Sequence, residues 1–146
     1  MAETDQDFVR DLVKRNRFLY LSTTDGANPW IAPLEYIADD NLNLYFFSPE
    51  SSAHSKHLRE RKNVAVSICD PVQPEYEPAP TMRLAGLQII ATARELQASY
   101  PPLVENQIKA WKLPMPPYAA YQITPERWFI PVIKDGINER LEVAMS

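Results

Sequence analysis

Between Ser48 and Lys56 the chain gathers Ser48, Ser51, Ser52, His54, Ser55 and Lys56. Hydroxyls, backbone N–H groups at a helix start and a cation are the donors that a phosphate monoester recruits. The bend therefore reads as an anion cradle. The same residues have a second account. Serines ahead of a helix act as N-caps, taking up orphan N–H groups with no ligand present. His54, Lys56, His57, Arg59, Arg61 and Lys62 would then be a solvated basic face. Residue types and spacing alone leave both open.

The cradle must be held by what flanks it. Leu42, Leu44 and Phe46 alternate with Asn43, Tyr45 and Phe47, and Val64, Val66 and Ile68 alternate with Ala65, Ser67 and Cys69. This is the two-residue period of pleated strands, with a short basic helix between them. Cys69 reads as a small buried residue of its strand. Upstream, Thr4 and Asp7 resemble a helix start, and Phe8, Val9, Leu12 and Val13 recur at helical spacing, so residues 5–15 form an amphipathic helix over one end or face of a sheet. Residues 17–23 are a strand, and Asp25-Gly26 is a tight turn. The next strand, 29–38, puts Trp30, Ala32, Leu34 and Tyr36 on one face and Ile31, Pro33, Glu35 and Ile37 on the other. Pro33 cannot donate to a ladder, which marks an edge, a bulge or a place where a non-strand partner lies alongside.

Downstream, the proline-rich acidic stretch 71–80 is an extended surface loop. A long strand spans 81–96, with Ala85, Leu87, Ile89, Ala91 and Ala93 on one side and Gln88 on the other. Leu103, Val104, Ile108 and Trp111 make a third helix behind Pro101-Pro102, and Pro114 to Tyr118 is a stiff, exposed arm. Residues 121–123 and 127–133 are strands broken at Thr124-Pro125, and 139–143 is a last short segment. Tight hairpins with helices only at the edges give a mainly β (α+β) domain over 1–146, a small antiparallel barrel.

Bulk properties narrow the function. The 146 residues suit one domain, and the net charge of −4 disfavours nucleic acid as a partner. No apolar run approaches the roughly 20 residues of a membrane helix. The acidic start and the single cysteine fit a reducing, cytoplasmic setting. With three glycines against fourteen prolines, neither GxGxxG nor a Walker A loop is present. No metal site and no general base are assigned.

The ordered set of pieces resembles a known family. A first helix and the Leu21–Pro29 hairpin (LSTTDGANP) precede LYFFS, SAHSKHL, NVAVSICD and GLQIIATA. Over residues 4 to 97 this is similar to the FMN-binding split-barrel family related to pyridoxamine 5′-phosphate oxidase. The resemblance implies a small antiparallel split β-barrel that forms a homodimer, with FMN in a cleft between the subunits. It places the flavin ring against Trp30, Ile31, Ala32 and Pro33, chiefly through their backbone, and the phosphate at Ser48, Ser52 and either His54 or Lys56. Gln88 falls at a position directed toward the cofactor.

Three departures bear on activity. Trp30 stands where authentic pyridoxamine-phosphate oxidases carry arginine, and Ala91 where glycine is usual. In Arg140-Leu141-Glu142, glutamate replaces the histidine of a substrate-phosphate motif, and an acid there repels a phosphorylated substrate. The expectation is thus a flavin-dependent oxidoreductase with an unassigned small-molecule substrate rather than a vitamin B6 phosphate oxidase. The alternatives are a non-catalytic flavin-binding or stress-response module and a haem-binding barrel using His54 or His57. Trp30, Trp111 and Trp128 are each either a ring-stacking partner or a core or interface anchor.

Overall fold

The computed structural model describes residues 3–77 and 80–146. Helix α1 (Asp5–Arg15) begins with a capping box: Thr4 Oγ1 accepts from Asp7 N at 3.0 Å, and Thr4 N donates back to Asp7 Oδ2 at 3.3 Å. Strands β1 (Phe18–Thr24), β2 (Pro29–Glu35), β3 (Ile37–Ala38) and β4 (Leu44–Pro49) follow. Helix α2 (Ala53–Glu60) then leads to β5 (Asn63–Cys69), β6 (Thr81–Arg83) and β7 (Gly86–Glu95). Helix α3 (Pro102–Trp111), β8 (Tyr118–Lys134) and β9 (Ile137–Val143) complete the order.

The strands pair in the order β2-β1-β5-β7-β8-β4-β3, all antiparallel. β2 and β3 are successive pieces of one run, so the sheet curls back on itself. β3 pairs with β4, whereas β2 pairs only with β1 among the described residues. The sheet is thus not a closed barrel: it is α+β and split along β2. Pro33 lies on that edge strand, where its missing N–H costs nothing.

β8 is the hub. One of its edges takes β7 and then β6, and the other takes β4 and then β9. The sequence pattern placed a break at Thr124-Pro125; instead the strand runs through as a bulge, with a register shift that leaves Glu126 unpaired between Pro125 and Arg127. Pro125 keeps its register partner Ala91, and the ladder absorbs Glu126 beside it as one extra residue. The long strand expected at 81–96 is divided at Leu84-Ala85. There the Gln73 side chain replaces a strand partner, accepting from Ala85 N at 2.9 Å and donating to Ala85 O at 2.8 Å. Of the proline-rich stretch, Pro78 and Ala79 lie outside the described residues; the remainder forms neither helix nor strand.

Inward-facing residues fill the barrel: Leu19 and Leu21 from β1, Leu44 and Phe46 from β4, Val64, Val66 and Ile68 from β5, Leu87 and Ile89 from β7, Ile123 and Ile130 from β8. Val9, Leu12 and Val13 of α1 join this core, and Tyr36 OH donates to Val13 O, tying the helix to the β2–β3 junction. A second, smaller core lies outside the barrel. Tyr45, Leu96, Val104 and Ala120 are buried there beneath α3, with Phe47, Ile108 and Met115 packed against them. Met115 therefore ties the 114–118 arm to the body of the protein. Cys69 is exposed, contrary to the expectation, because inward-facing Val64, Val66 and Ile68 set the register that turns residue 69 out.

Candidate functional site

The cradle residues do come together, and they bond mainly to one another. Ser48 closes β4 and is buried, and Ser52 is the N-cap of α2, its Oγ accepting from Ser55 N at 3.4 Å. His54 Nε2 lies 2.7 Å from Ser48 Oγ and 3.2 Å from Ser52 Oγ. Ser52 Oγ donates to Ser55 Oγ at 2.7 Å. The N-cap account of the serines thus holds, extended by a buried imidazole. His54 is only 7% exposed, with its ring edge-on to Phe46. Burial, and then the charge of His57, hold its pKa below the ordinary imidazole value.

Three residues later in sequence, α2 makes a second attachment. His57 Nδ1 lies 2.8 Å from Oγ1 of Thr23, a buried residue near the end of β1. Thr23 is the register partner of Trp30, so both lie on the barrel-facing side at its mouth. The β1–β2 turn is set against the same helix. Arg61 lies over Gly26, and the Asp25 carboxylate accepts from Asn28 N at 2.7 Å and Ala27 N at 2.8 Å. These bonds pull the Asp25 pKa down to about 2. Sequence reasoning named His57 only as part of a basic face or as a haem ligand and did not single out Thr23; a lone threonine at a strand end carries no signal of what it will face.

The nine expected site residues divide by exposure. Trp30 (50%), Ile31 (63%), Pro33 and Lys56 are exposed, Ser52 and Gln88 are half-buried, and Ala32, Ser48 and His54 are buried. Trp30 and Ala32 face the barrel while Ile31 and Pro33 face outward, as the alternation predicted. Ile31 and Gln88 share an outer-face groove of about 200 Å³ with Tyr20, Ser22, Ser67 and Phe129. Gln88 Oε1 there accepts from Arg140 Nε. The cradle residues do not line that groove. Trp128 is buried in the core, and Trp111 packs edge-on against Phe47 at 5.9 Å, so both take the anchor role.

Glu142 is not an unpaired acid. Arg127 Nη2 and Nε donate to its two carboxylate oxygens at 2.8 and 3.0 Å, and Arg127 also lies 5.0 Å from the Phe129 ring centroid. Arg140 and Arg127 are both engaged within the β7–β8–β9 face. No helix of the described residues is long and apolar enough to cross a membrane.

Comparison with solved structures places this fold among known ones. A Clostridium acetobutylicum protein related to general stress protein 26, of the pyridoxinephosphate oxidase family, is 14% identical over 98% of this chain and 97% of its own, with a TM-score of 0.65. An FAD-binding protein from Mesorhizobium loti is 16% identical over 92% of each chain, with a TM-score of 0.57. A heme-binding protein from Mycobacterium smegmatis is 11% identical over 98% of this chain and 59% of its own, with a TM-score of 0.71. At such identities the likeness concerns the fold alone. No curated protein matches the chain. The sequence profile described as pyridoxamine 5′-phosphate oxidase matches residues 6–130, covering α1 through most of β8. On that match the chain belongs to the pyridoxamine 5′-phosphate oxidase family.

Proposed function

We propose that this chain is an FMN-binding flavoprotein of that family, a flavin-dependent oxidoreductase that works as a homodimer with a substrate other than a vitamin B6 phosphate. The observation that carries the reading is the mouth of the barrel. Among the described residues the edge of β2 is unpaired there, across the split from β4, and α2 packs against β1 and β2 with Ser52 at its start and Lys56 exposed in its first turn. This donor set fits a phosphate monoester: a cation, a hydroxyl, and N–H groups at the positive end of a helix. Of the two basic candidates, Lys56 is the accessible one.

Lys56 and Ser52 hold the phosphate, Ser48 braces the cradle from beneath, and backbone groups of Trp30, Ile31, Ala32 and Pro33 orient the ring. FMN, when bound, supplies the electron-transfer chemistry. Gln88 lies on the outer face, so its contact with the cofactor is made within the dimer. That face supports a second copy as partner. Phe18, Tyr20, Ile31 and Ile90 are all 44–63% exposed on it, with uncharged Ser22, Pro33, Ala65 and Ser67 between them. An exposed apolar sheet of this kind marks an interaction surface, and a second copy is the occupant this reading assigns to it. Of the two histidines of the haem alternative, His54 is buried with its Nε2 between Ser48 and Ser52; a Soret band in the absorption spectrum would favour that alternative.

The test is the absorption spectrum of the purified protein, followed by titration with FMN and riboflavin. Lys56→Ala is expected to weaken FMN roughly tenfold or more and riboflavin hardly at all, as a charge-assisted contact implies. Equal losses for both flavins, or no flavin binding, overturn the reading.

A further inference from the structure

We infer that His54 and His57 are positioning residues rather than phosphate ligands: they peg α2 to β4 and to β1, and a proton on the buried His54, which has no counter-charge beside it, loosens the helix together with any cofactor it holds. The regulatory part of this inference rests on the flavin reading above; the pegging does not.

The geometry is a helix of eight residues carrying both histidines of the chain, each bonded to a buried hydroxyl on a different strand. His54 reaches Ser48 of β4 at 2.7 Å, and His57 reaches Thr23 of β1 at 2.8 Å. Those hydroxyls are 2% and 4% exposed. No carboxylate among the described residues is bonded to either ring. The titratable and charged groups nearby are few. Each histidine faces the other along α2, Asp25 of the β1–β2 turn faces His57, and the Tyr121 hydroxyl of β8 lies beside Ser55, in the field of Glu50, Arg59 and Glu95. A proton on His54 would be buried against serines and the Phe46 ring with no counter-charge beside it.

The sign follows. A histidine kept neutral by the fold contributes stability that is complete above the ordinary imidazole value of 6.5 and is lost as pH falls from there toward its own lower value. The opposite sign belongs to a histidine that binds phosphate as a cation, because acid would then tighten FMN.

The experiment is amide hydrogen exchange on the full chain without added flavin, at about pH 7.5 and about pH 5.5. After correction for intrinsic rates, protection of α2 relative to β5 is expected to fall in acid, by up to roughly tenfold per pH unit. His54→Gln keeps a donor for Ser48 without the titration and is expected to flatten that loss; His57→Ala removes the Thr23 peg and is expected to lower α2 protection at both pH values. Unchanged α2 protection in the wild type overturns the inference, as does full acid loss in His54→Gln or unaltered α2 protection in His57→Ala. With flavin, acid is expected to weaken FMN more than riboflavin, because α2 is read as holding the phosphate and β2 the ring. Tighter FMN in acid makes a histidine the phosphate cation and sinks the proposal. If neither flavin binds at any pH while α2 still loosens, the flavin reading fails and the pegs stand.

Discussion

Tyr121 lies face to face on Phe46, with ring centroids 4.8 Å apart and planes 6° from parallel, and its buried hydroxyl has no hydrogen-bond partner among the described residues. The pair joins β8 to β4 beneath α2, and Phe46 passes the packing on to the edge of His54. An orphan buried hydroxyl carries a desolvation cost without a compensating bond, so Tyr121→Phe is expected to stabilise the fold by about 1 kcal/mol. The denaturant midpoint would rise with an unchanged slope. A fall in the midpoint would mean that Ser55, beside it, satisfies the hydroxyl.

Acid should act through Asp70. Its carboxylate accepts from Arg15 Nε at 2.6 Å, Val72 N at 2.9 Å and Asn16 Nδ2 at 3.3 Å, fastening the start of the 71–77 loop to the end of α1. The Arg15 bond, first, and that of Val72 hold its pKa below the ordinary 3.8. The stabilisation is therefore complete above that value and lost as pH falls through the lowered one. Asp70→Asn is expected to cost about 1–2 kcal/mol near neutrality. Urea titrations at falling pH should show the variant and the parent converging; a constant gap would refute the ion pair's role.

Gly26 has a φ of +102°, and a Cβ there would meet Arg61 Nη2 at 2.5 Å. The guanidinium is the free end of a long side chain and can swing away, so the backbone conformation should dominate. Gly26→Ala is expected to lower stability by about 1 kcal/mol or more. Adding Arg61→Ala should restore little of it in thermal melts. Substantial rescue would show that the collision, not the turn, sets the cost.

The outer face of β1, β2, β5 and β7 makes its own forecast. Ile31, 63% exposed beside the groove that holds Gln88, should be central to pairing between copies. Ile31→Glu is expected to shift sedimentation toward the monomer and to release flavin on dilution. A variant that stays dimeric with full flavin affinity would place the interface elsewhere.

Much of the fold was legible because barrel strands repeat every two residues. The inward sets in β1, β4, β5 and β7 follow from that period, and Pro33 marked the open edge. Three departures have local causes that a pattern cannot carry. The break expected at Thr124-Pro125 is instead a bulge at Glu126, with β8 still paired to β7 on both sides of it. Gln73, twelve residues away, divides β6 from β7 by imitating a strand partner. Leu42 belongs to the turn rather than the strand, with a φ of 62°. At the site, sequence supplied the donors but not their direction. Nothing in the spacing of Ser48 and His54 says that the imidazole turns inward, and the Thr23–His57 bond spans 34 positions.

The last consequence comes from β8. All four of its partner strands involve residues 118–134, and three of those partners precede it in the chain. A ribosome making this protein extrudes β1 through β7 before the strand that unites them exists. The nascent chain must wait with β4 and β7 each lacking a neighbour, a period in which bare strand margins invite wrong pairing. Chaperone demand should therefore peak late in synthesis and end abruptly once β8 has cleared the exit tunnel.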